Sequence, residues 1–343
     1  MSKSKGAALA WGKLAGFALA AILGWGSAQA DPVKLRFASF TSDTEQTLQT
    51  VFKPFAEAVN KEAGGAVQID IFPNGALGRN PTQQAQMVAD GIADIAWVVP
   101  SFTPGRFPET EVFELPGMFR SLEEGTTVFT RLTLAGKIES FKDFVPIGTV
   151  VTAPYSIHAR VPIKTLADLK GRKIRISSSI ESDTLRALGA VPVGMTTTEV
   201  AEALARGTVD GTTGHLSPLF DYGQVRVVSS HYFIRLGSVP VLILMNRDKF
   251  NSLPKAAQDA IQQHSGMWIA KQFSTNITAY NEGLMKKLTS DPARTIVTPS
   301  PADTATAQAA FDTIVDTWAA KSPRNKQMLE LVRAELATLR AGK

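Results

Sequence analysis

The chain contains no cysteine, which excludes disulfides, zinc–thiolate centres, iron–sulfur clusters and thiol nucleophiles together. Histidine is scarce: His158, His215, His231 and His264 are all there is. No two of them stand at the i, i+4 spacing of a helical metal pair, and no HExxH occurs. The glycine cradles for nucleotide phosphates, GxGxxG and GxxxxGK[ST], are missing, and the residues around Ser217 do not form the GxSxG elbow of a hydrolase. Past the N-terminal thirty residues no apolar run reaches membrane-spanning length. These absences leave no nominated catalytic, metal or cofactor site, and no cofactor is expected.

Net charge is also slight once the N-terminus is set aside. Lys3, Lys5 and Lys13 precede a short apolar core, Leu14–Leu23, and Ala28-Gln29-Ala30 fits the small-x-small pattern of signal cleavage. Cleavage after Ala30 is expected, with export to a bacterial periplasm. The whole chain has 36 Lys+Arg against 31 Asp+Glu; removing the three leader lysines leaves 33 against 31, or +2. With no basic stripe interleaved with aromatics, nucleic acid is not an expected partner. An exported chain of roughly 310 residues without disulfides must rely on a large apolar core, enough for about two domains.

What is present is an α/β rhythm centred on Thr165–Ser179, TLADLKGRKIRISSS. Thr165 caps a short turn, Lys170-Gly171 breaks it, and Arg172–Ser177 alternates as a strand with Ile174 and Ile176 on one face and Lys173, Arg175 and Ser177 on the other. Ser178 with Glu181 three residues on is a capping-box signature. Arg175 thus falls at the carboxyl end of a strand, before a helix N-terminus, where α/β sheets collect anionic ligands. Its planar fork suits a carboxylate; the same residue would serve equally in an interdomain salt bridge.

The rhythm occurs twice. Strands are expected at Val33–Ala38, Val67–Phe72, Ala93–Val99 and Val145–Val151, then at Arg172–Ser177, Val191–Met195, Thr208–Thr212 and Val239–Asn246, with helices between. Met87–Asp94 and Ala203–Asp210 echo each other: a helix end, a stopping glycine, and an aspartate three residues later. Two such halves suggest two lobes around a cleft. From Leu253-Pro254 the pattern is helical to about Ser290, long enough to brace both lobes, with Gly266 as the place for a bend. Pro299–Ala319 and Asn325–Leu339 read as the last helices.

Four passages carry a resemblance: Asn74–Trp97, Pro104–Phe119, Leu166–Ile176 and Leu188–Gly211. In this order they resemble the substrate-binding subunit of TRAP (tripartite ATP-independent periplasmic) transporters. The resemblance implies an α/β fold of the periplasmic binding protein kind, with two α/β lobes, a ligand cleft and a long helix spanning both. The lobes are expected at 31–152 plus 241–280 and at 153–240 plus 281–343, after a 1–30 leader. It also implies that Arg175 holds a ligand carboxylate, and that the receptor, expected to be a monomer, delivers the acid to membrane permease subunits driven by an ion gradient. The family's pocket positions fall on Phe40 and Thr41, Arg79 and Asn80, Trp97 and Val98, and Ser177 and Ser178.

Two departures bear on the ligand. The second arginine of the family's sialic-acid receptors, about twenty residues before the first, is replaced by Tyr155. The asparagine many members carry after the last cleft strand is replaced by Gly214 or His215. With Trp97 and Phe102 nearby, an aromatic pocket and a monocarboxylate, such as an aromatic or branched 2-oxo acid, are expected. The alternatives are a four-carbon dicarboxylate, an exported enzyme acting on a small carboxylate, and a ligand sensor for a membrane receptor.

Overall fold

The structure, a computed structural model, describes residues 31–342; the expected leader, residues 1–30, lies outside them. The first lobe begins with β1 (Val33–Ala38), α1 (Lys53–Glu62), β2 (Val67–Phe72), α2 (Gln84–Ala89), β3 (Ile95–Val98), α3 (Leu122–Leu134) and β4 (Phe144–Val151). The second follows with β5 (Ser156–Ala159), β6 (Lys173–Ile176), α4 (Ser179–Ala187), β7 (Val191–Gly194), α5 (Val200–Arg206), β8 (Gly211–Gly214), α6 (Leu216–Asp221) and β9 (Ser230–Tyr232). The chain then returns as β10 (Pro240–Asn246) and ends with α7 (Arg247–Asn251), α8 (Lys255–Gln263), α9 (Met267–Ser290), β11 (Thr295–Val297), α10 (Pro301–Ala320) and α11 (Pro323–Arg340). Two mixed sheets result, ordered β2-β1-β3-β10-β4 and β11-β9-β5-β8-β6-β7.

The echoed aspartates have the same job in each lobe. Asp94 accepts the backbone N–H of Arg36 at 2.7 Å, and its own N–H donates to the Arg36 carbonyl. Asp210 accepts the backbone N–H of Lys173 at 2.9 Å, and its N–H donates to the Lys173 carbonyl. Each aspartate therefore locks the register of two parallel strands, Phe37 against Ile95 and Ile174 against Gly211. Within β1 the alternation holds: Leu35 and Phe37 are buried while Lys34 and Arg36 face outward. Asp210 spends the expected strand start Thr208–Asp210 on this clamp, so β8 begins at Gly211, later than the sequence pattern suggests.

Local chemistry also explains two broken helices. Pro54, which has no N–H, sits near the start of α1, and the chain enters α1 through a widened π turn at Leu48–Phe52. The expected long helix after Pro254 is two helices. Gly266 takes φ +55° and ψ −116°, a conformation costly for any residue with a Cβ, and its N–H donates to Ile147. At 24 residues, α9 is about 36 Å long. Ile269 and Phe273 bury into the first lobe's core, while Leu284 and Leu288 belong to a cluster with Val200, Leu204 and Leu219 of the second lobe.

The lobes are also joined by two crossing segments, 152–155 and 233–239. They pair through Thr152 N–H to Val239 O and Leu236 N–H to Tyr155 O. Gly237 passes the first lobe so closely that a Cβ there would lie 1.9 Å from the Glu114 carbonyl oxygen. The C-terminal helices correct the expected assignment of 281–343 to the second lobe. The start of α10 is tied to that lobe, Asp303 accepting from the Tyr232 hydroxyl at 2.9 Å. Its end reaches the first lobe, where the Trp318 indole donates to Glu111 at 2.9 Å. Helix α11 packs on α3 and the 108–114 turn, with Arg340 paired to Glu124 at 2.8 Å.

Candidate functional site

The strands of both lobes aim their carboxyl ends at one cavity. After β1 the first lobe contributes Phe40, Thr41, Glu45 and Thr47; at the end of β3 and beyond it, Trp97, Val99 and Phe102. The second lobe contributes Ser177 after β6, Thr197 after β7, and His215, Ser217 and Tyr222 around α6. Thr152, Tyr155 and Val239 of the crossing segments, Pro218 of α6, Val241 of β10, and Phe273 and Ile277 of α9 complete it. The space between these walls is about 690 Å³, mouth included. No lysine or arginine is among the lining residues.

The sequence-expected site residues divide into three groups. Phe40, Trp97, Phe102, Tyr155 and His215 come together in the cavity wall. Trp97 also packs on Phe52, ring centroids 4.9 Å apart, so it serves core and cavity at once. Tyr155 and His215 face each other at 5.6 Å.

Arg175 lies behind the wall, beside the lining residues Ser177 and Thr197, and is 3% exposed. Its Nε donates to the Met195 carbonyl at 2.9 Å and its Nη2 to Thr197 Oγ1 at 3.4 Å, while Nη1 makes no hydrogen bond among the described residues. Burial pulls the guanidinium below its ordinary value, opposed chiefly by Glu181. Glu181 is itself buried, and burial raises its carboxyl against the pull of Arg175. Its Oε2 accepts from Ser177 N–H at 2.8 Å and from Thr213 Oγ1 at 2.9 Å. Arg175 is thus aimed by neutral acceptors and balanced by an acid that it does not touch as an ion pair.

Ser178 and Arg79 stand elsewhere. The Ser178 hydroxyl accepts the Glu181 N–H at 3.2 Å, because the first turn of α4 leaves amides that need a cap. Ser178 lines a smaller neighbouring space with Glu114 instead of the main cavity. Arg79 is exposed: it closes a turn over Gly75 just before the Asn80 cap, and its side chain leaves for solvent. Sequence reasoning missed Glu45, Thr47, Thr197 and Tyr222, which no motif marks. Glu45 is buried, its carboxyl raised by that burial; Oε1 accepts from Thr47 Oγ1 at 2.8 Å and Oε2 from Leu48 N–H at 2.9 Å.

The cavity does not assemble a nucleophile and base. Ser217 Oγ donates to Asn281 at 2.8 Å, and burial holds the nearby His215 imidazole down at about 3. Among the described residues no cluster of ligating side chains could hold a metal ion, and no helix is long and apolar enough to cross a membrane.

Two α/β lobes, two crossing segments and a cavity at converging strand ends define a two-lobed solute receptor. The chain belongs to the bacterial extracellular solute-binding protein family 7, whose profile it matches over residues 37–322, and is a TRAP solute-binding protein. It is similar to a marine metagenome TRAP solute-binding protein specific for aromatic acid ligands, solved with metahydroxyphenylacetate: 28% identity, TM-score 0.84, 89% of this chain and 99% of that one. It is similar to a TRAP solute-binding protein from Rhodoferax ferrireducens, solved with copurified benzoate: 26% identity, TM-score 0.81, 89% and 98% covered. The C4-dicarboxylate-binding periplasmic protein DctP of Rhodobacter capsulatus is 26% identical over 241 residues, 69% of this chain and 72% of that protein.

Proposed function

We propose that this chain captures a small monocarboxylate with an aromatic or apolar body in the periplasm, and releases it unchanged to the permease subunits of a TRAP transporter. The observation that carries the reading is the wall itself: Phe40, Trp97, Phe102 and Tyr155 surround a space with a single buried cation, Arg175, behind it. Such rings offer large apolar contact to a planar body. Arg175 meets the acid group through Nη1 and the second proton of Nη2, because Nε and one Nη2 proton are already committed. A dicarboxylate fits less well: no lysine or arginine lines the cavity to meet a second carboxylate. The aromatic acids bound by the relatives at 28% and 26% identity support the same class.

Calorimetric titration tests the reading. Benzoate and 3-hydroxybenzoate are expected to bind at least about tenfold more tightly than succinate, a difference of roughly 1.4 kcal/mol. Tighter binding of succinate, or chemical conversion of any of the three, would replace the reading with one of its rivals. Saturating benzoate is also expected to change tryptophan emission, and Trp97→Phe to remove the change. Trp318 is buried away from the cavity and bonded to Glu111, so an unaltered response in Trp97→Phe would count against ring contact at Trp97.

A further inference from the structure

The chain has four tyrosines. Tyr232 donates to Asp303 at 2.9 Å and Tyr280 to Asp221 at 2.5 Å. Tyr155 has Thr152 beside it and stands in the field of Arg175. The Tyr222 hydroxyl makes no hydrogen bond among the described residues. It is not sealed away like Oδ2 of the neighbouring Asp221, which has neither partner nor surface, and Tyr222 lines the cavity of the rings. A phenol oxygen so placed presents an unspent donor to whatever fills the cavity.

The backbone fixes where Tyr222 stands. Helix α6 ends at this residue, whose N–H donates to the Pro218 carbonyl at 3.1 Å. Burial raises its phenol above the ordinary value, and the acids Glu45 and Asp221 raise it further, so near neutral pH the hydroxyl keeps its proton. The ionisable groups that act on Arg175 are different ones: Glu181, Tyr155 and Glu199. No residue belongs to both sets, so the cavity has two polar corners, one cationic and one of hydroxyl and carboxyl groups. Glu45 lines the second corner with Thr47. Its Oε1 accepts from Thr47 Oγ1 at 2.8 Å and its Oε2 from Leu48 N–H at 2.9 Å. One bond to each oxygen leaves both with further acceptor capacity.

Resting on the reading of the cavity as an aromatic-acid site, we propose that Tyr222 is a specificity-determining residue: with Glu45 it receives a hydroxyl carried on the ring of the captured acid, away from the carboxylate. The preferred ligand is then a hydroxylated aromatic monocarboxylate. A ring hydroxyl both accepts and donates. It accepts from the Tyr222 O–H and donates to a Glu45 oxygen, while the carboxylate stays with Arg175 at the other corner. A methyl group in the same place leaves the Tyr222 proton unpaired in a space the ring has emptied of water. An unpaired buried donor costs more than the made bond gains, so this corner rejects the apolar analogue.

Calorimetric titration of 3- and 4-hydroxybenzoate against 3- and 4-methylbenzoate, with benzoate as the reference, tests the assignment. At least one hydroxy acid is expected to bind about tenfold more tightly than its methyl counterpart. Tyr222→Phe, which keeps the ring and removes the hydroxyl, is expected to bring that ratio to within about twofold. The ratio is the readout, so a general loss of affinity from the substitution cancels. Equal binding within both pairs by the parent protein would overturn the proposal and leave the aromatic-acid reading standing. A ratio kept in full by Tyr222→Phe would do the same. Failure of benzoate itself to bind would remove the underlying reading, and the proposal with it.

Discussion

Replacing Arg175 with alanine is expected to abolish measurable binding of benzoate while the two lobes remain folded. The guanidinium is a fixed fork: the Met195 carbonyl holds Nε at 2.9 Å and Thr197 Oγ1 holds Nη2 at 3.4 Å, leaving Nη1 free at one end. A carboxylate arriving end-on would gain two charge-assisted hydrogen bonds at a site already out of water, each worth ~1.5–3 kcal/mol. Losing both should cost at least about one hundredfold in affinity. Arg175→Lys is expected to recover only a small part, since one ammonium cannot hold Met195 and Thr197 and also present two parallel donors. The fold should tolerate the change because Glu181 can take a proton: burial already raises its carboxyl, and Arg175 is the chief charge opposing that shift. Calorimetry with benzoate, beside near-ultraviolet circular dichroism of each variant, separates the effects. Full affinity in a folded Arg175→Ala protein would remove this residue from the site and leave Thr197 and Ser177 as the polar contacts.

Much of this arrangement was legible in the chain because it rests on short-range rules. The Thr165 and Ser178 caps both form, each with an acid three residues on. The repeated glycine-then-aspartate pattern proved to be one clamp used in both sheets. Phe40, Trp97, Phe102, Tyr155 and His215 meet in one cavity wall. What was not legible depends on distant partners. Strands β5 and β9 carry Ser156, His158, Ser230 and His231, polar residues that suggest a loop until each finds its neighbour across the sheet. Glu45 and Tyr222 reach the cavity through tertiary placement that no local pattern records. Ser178 misled for the opposite reason: its local rule, helix capping, outcompeted the ligand role that position implied. The Gly237 passage against Glu114 is equally silent in the sequence, because close approach of two backbones has no periodicity.

That passage sets up a large pH effect. Glu114 is 2% exposed at the meeting point of the 108–114 turn, the second crossing segment and α4. Ser101 donates to its Oε1 at 2.7 Å, whereas Oε2 has no partner of proper geometry, although the Ser178 hydroxyl lies beside it. The acids Glu181 of α4 and Glu111 of its own turn act on it, and Tyr155 of the first crossing segment is within its field. Burial, opposed by the two serines and helped by the two acids, pushes its carboxyl from 4.5 up to about 8. A carboxyl raised on folding favours the folded state while it is protonated. Its contribution is complete below 4.5, the unfolded value, and is lost as the pH rises through about 8. At roughly 1.4 kcal/mol per pH unit the loss has an upper bound of about 5 kcal/mol. Glu114→Gln keeps an acceptor for Ser101 and cannot ionise, so it is expected to be more stable than the parent at about pH 9 by several kcal/mol and nearly equal to it at about pH 5. The neutral imidazoles of His158, His215 and His231 act in the other direction, costing stability only as the pH falls below 6.5. Being common to both proteins, they cancel in the difference. Urea unfolding at the two pH values reads that difference directly. If Glu114→Gln differed from the parent by the same amount at both, Glu114 would titrate alike in the folded and unfolded chains, and the junction of turn, crossing segment and α4 would have to admit enough water to keep the carboxylate charged.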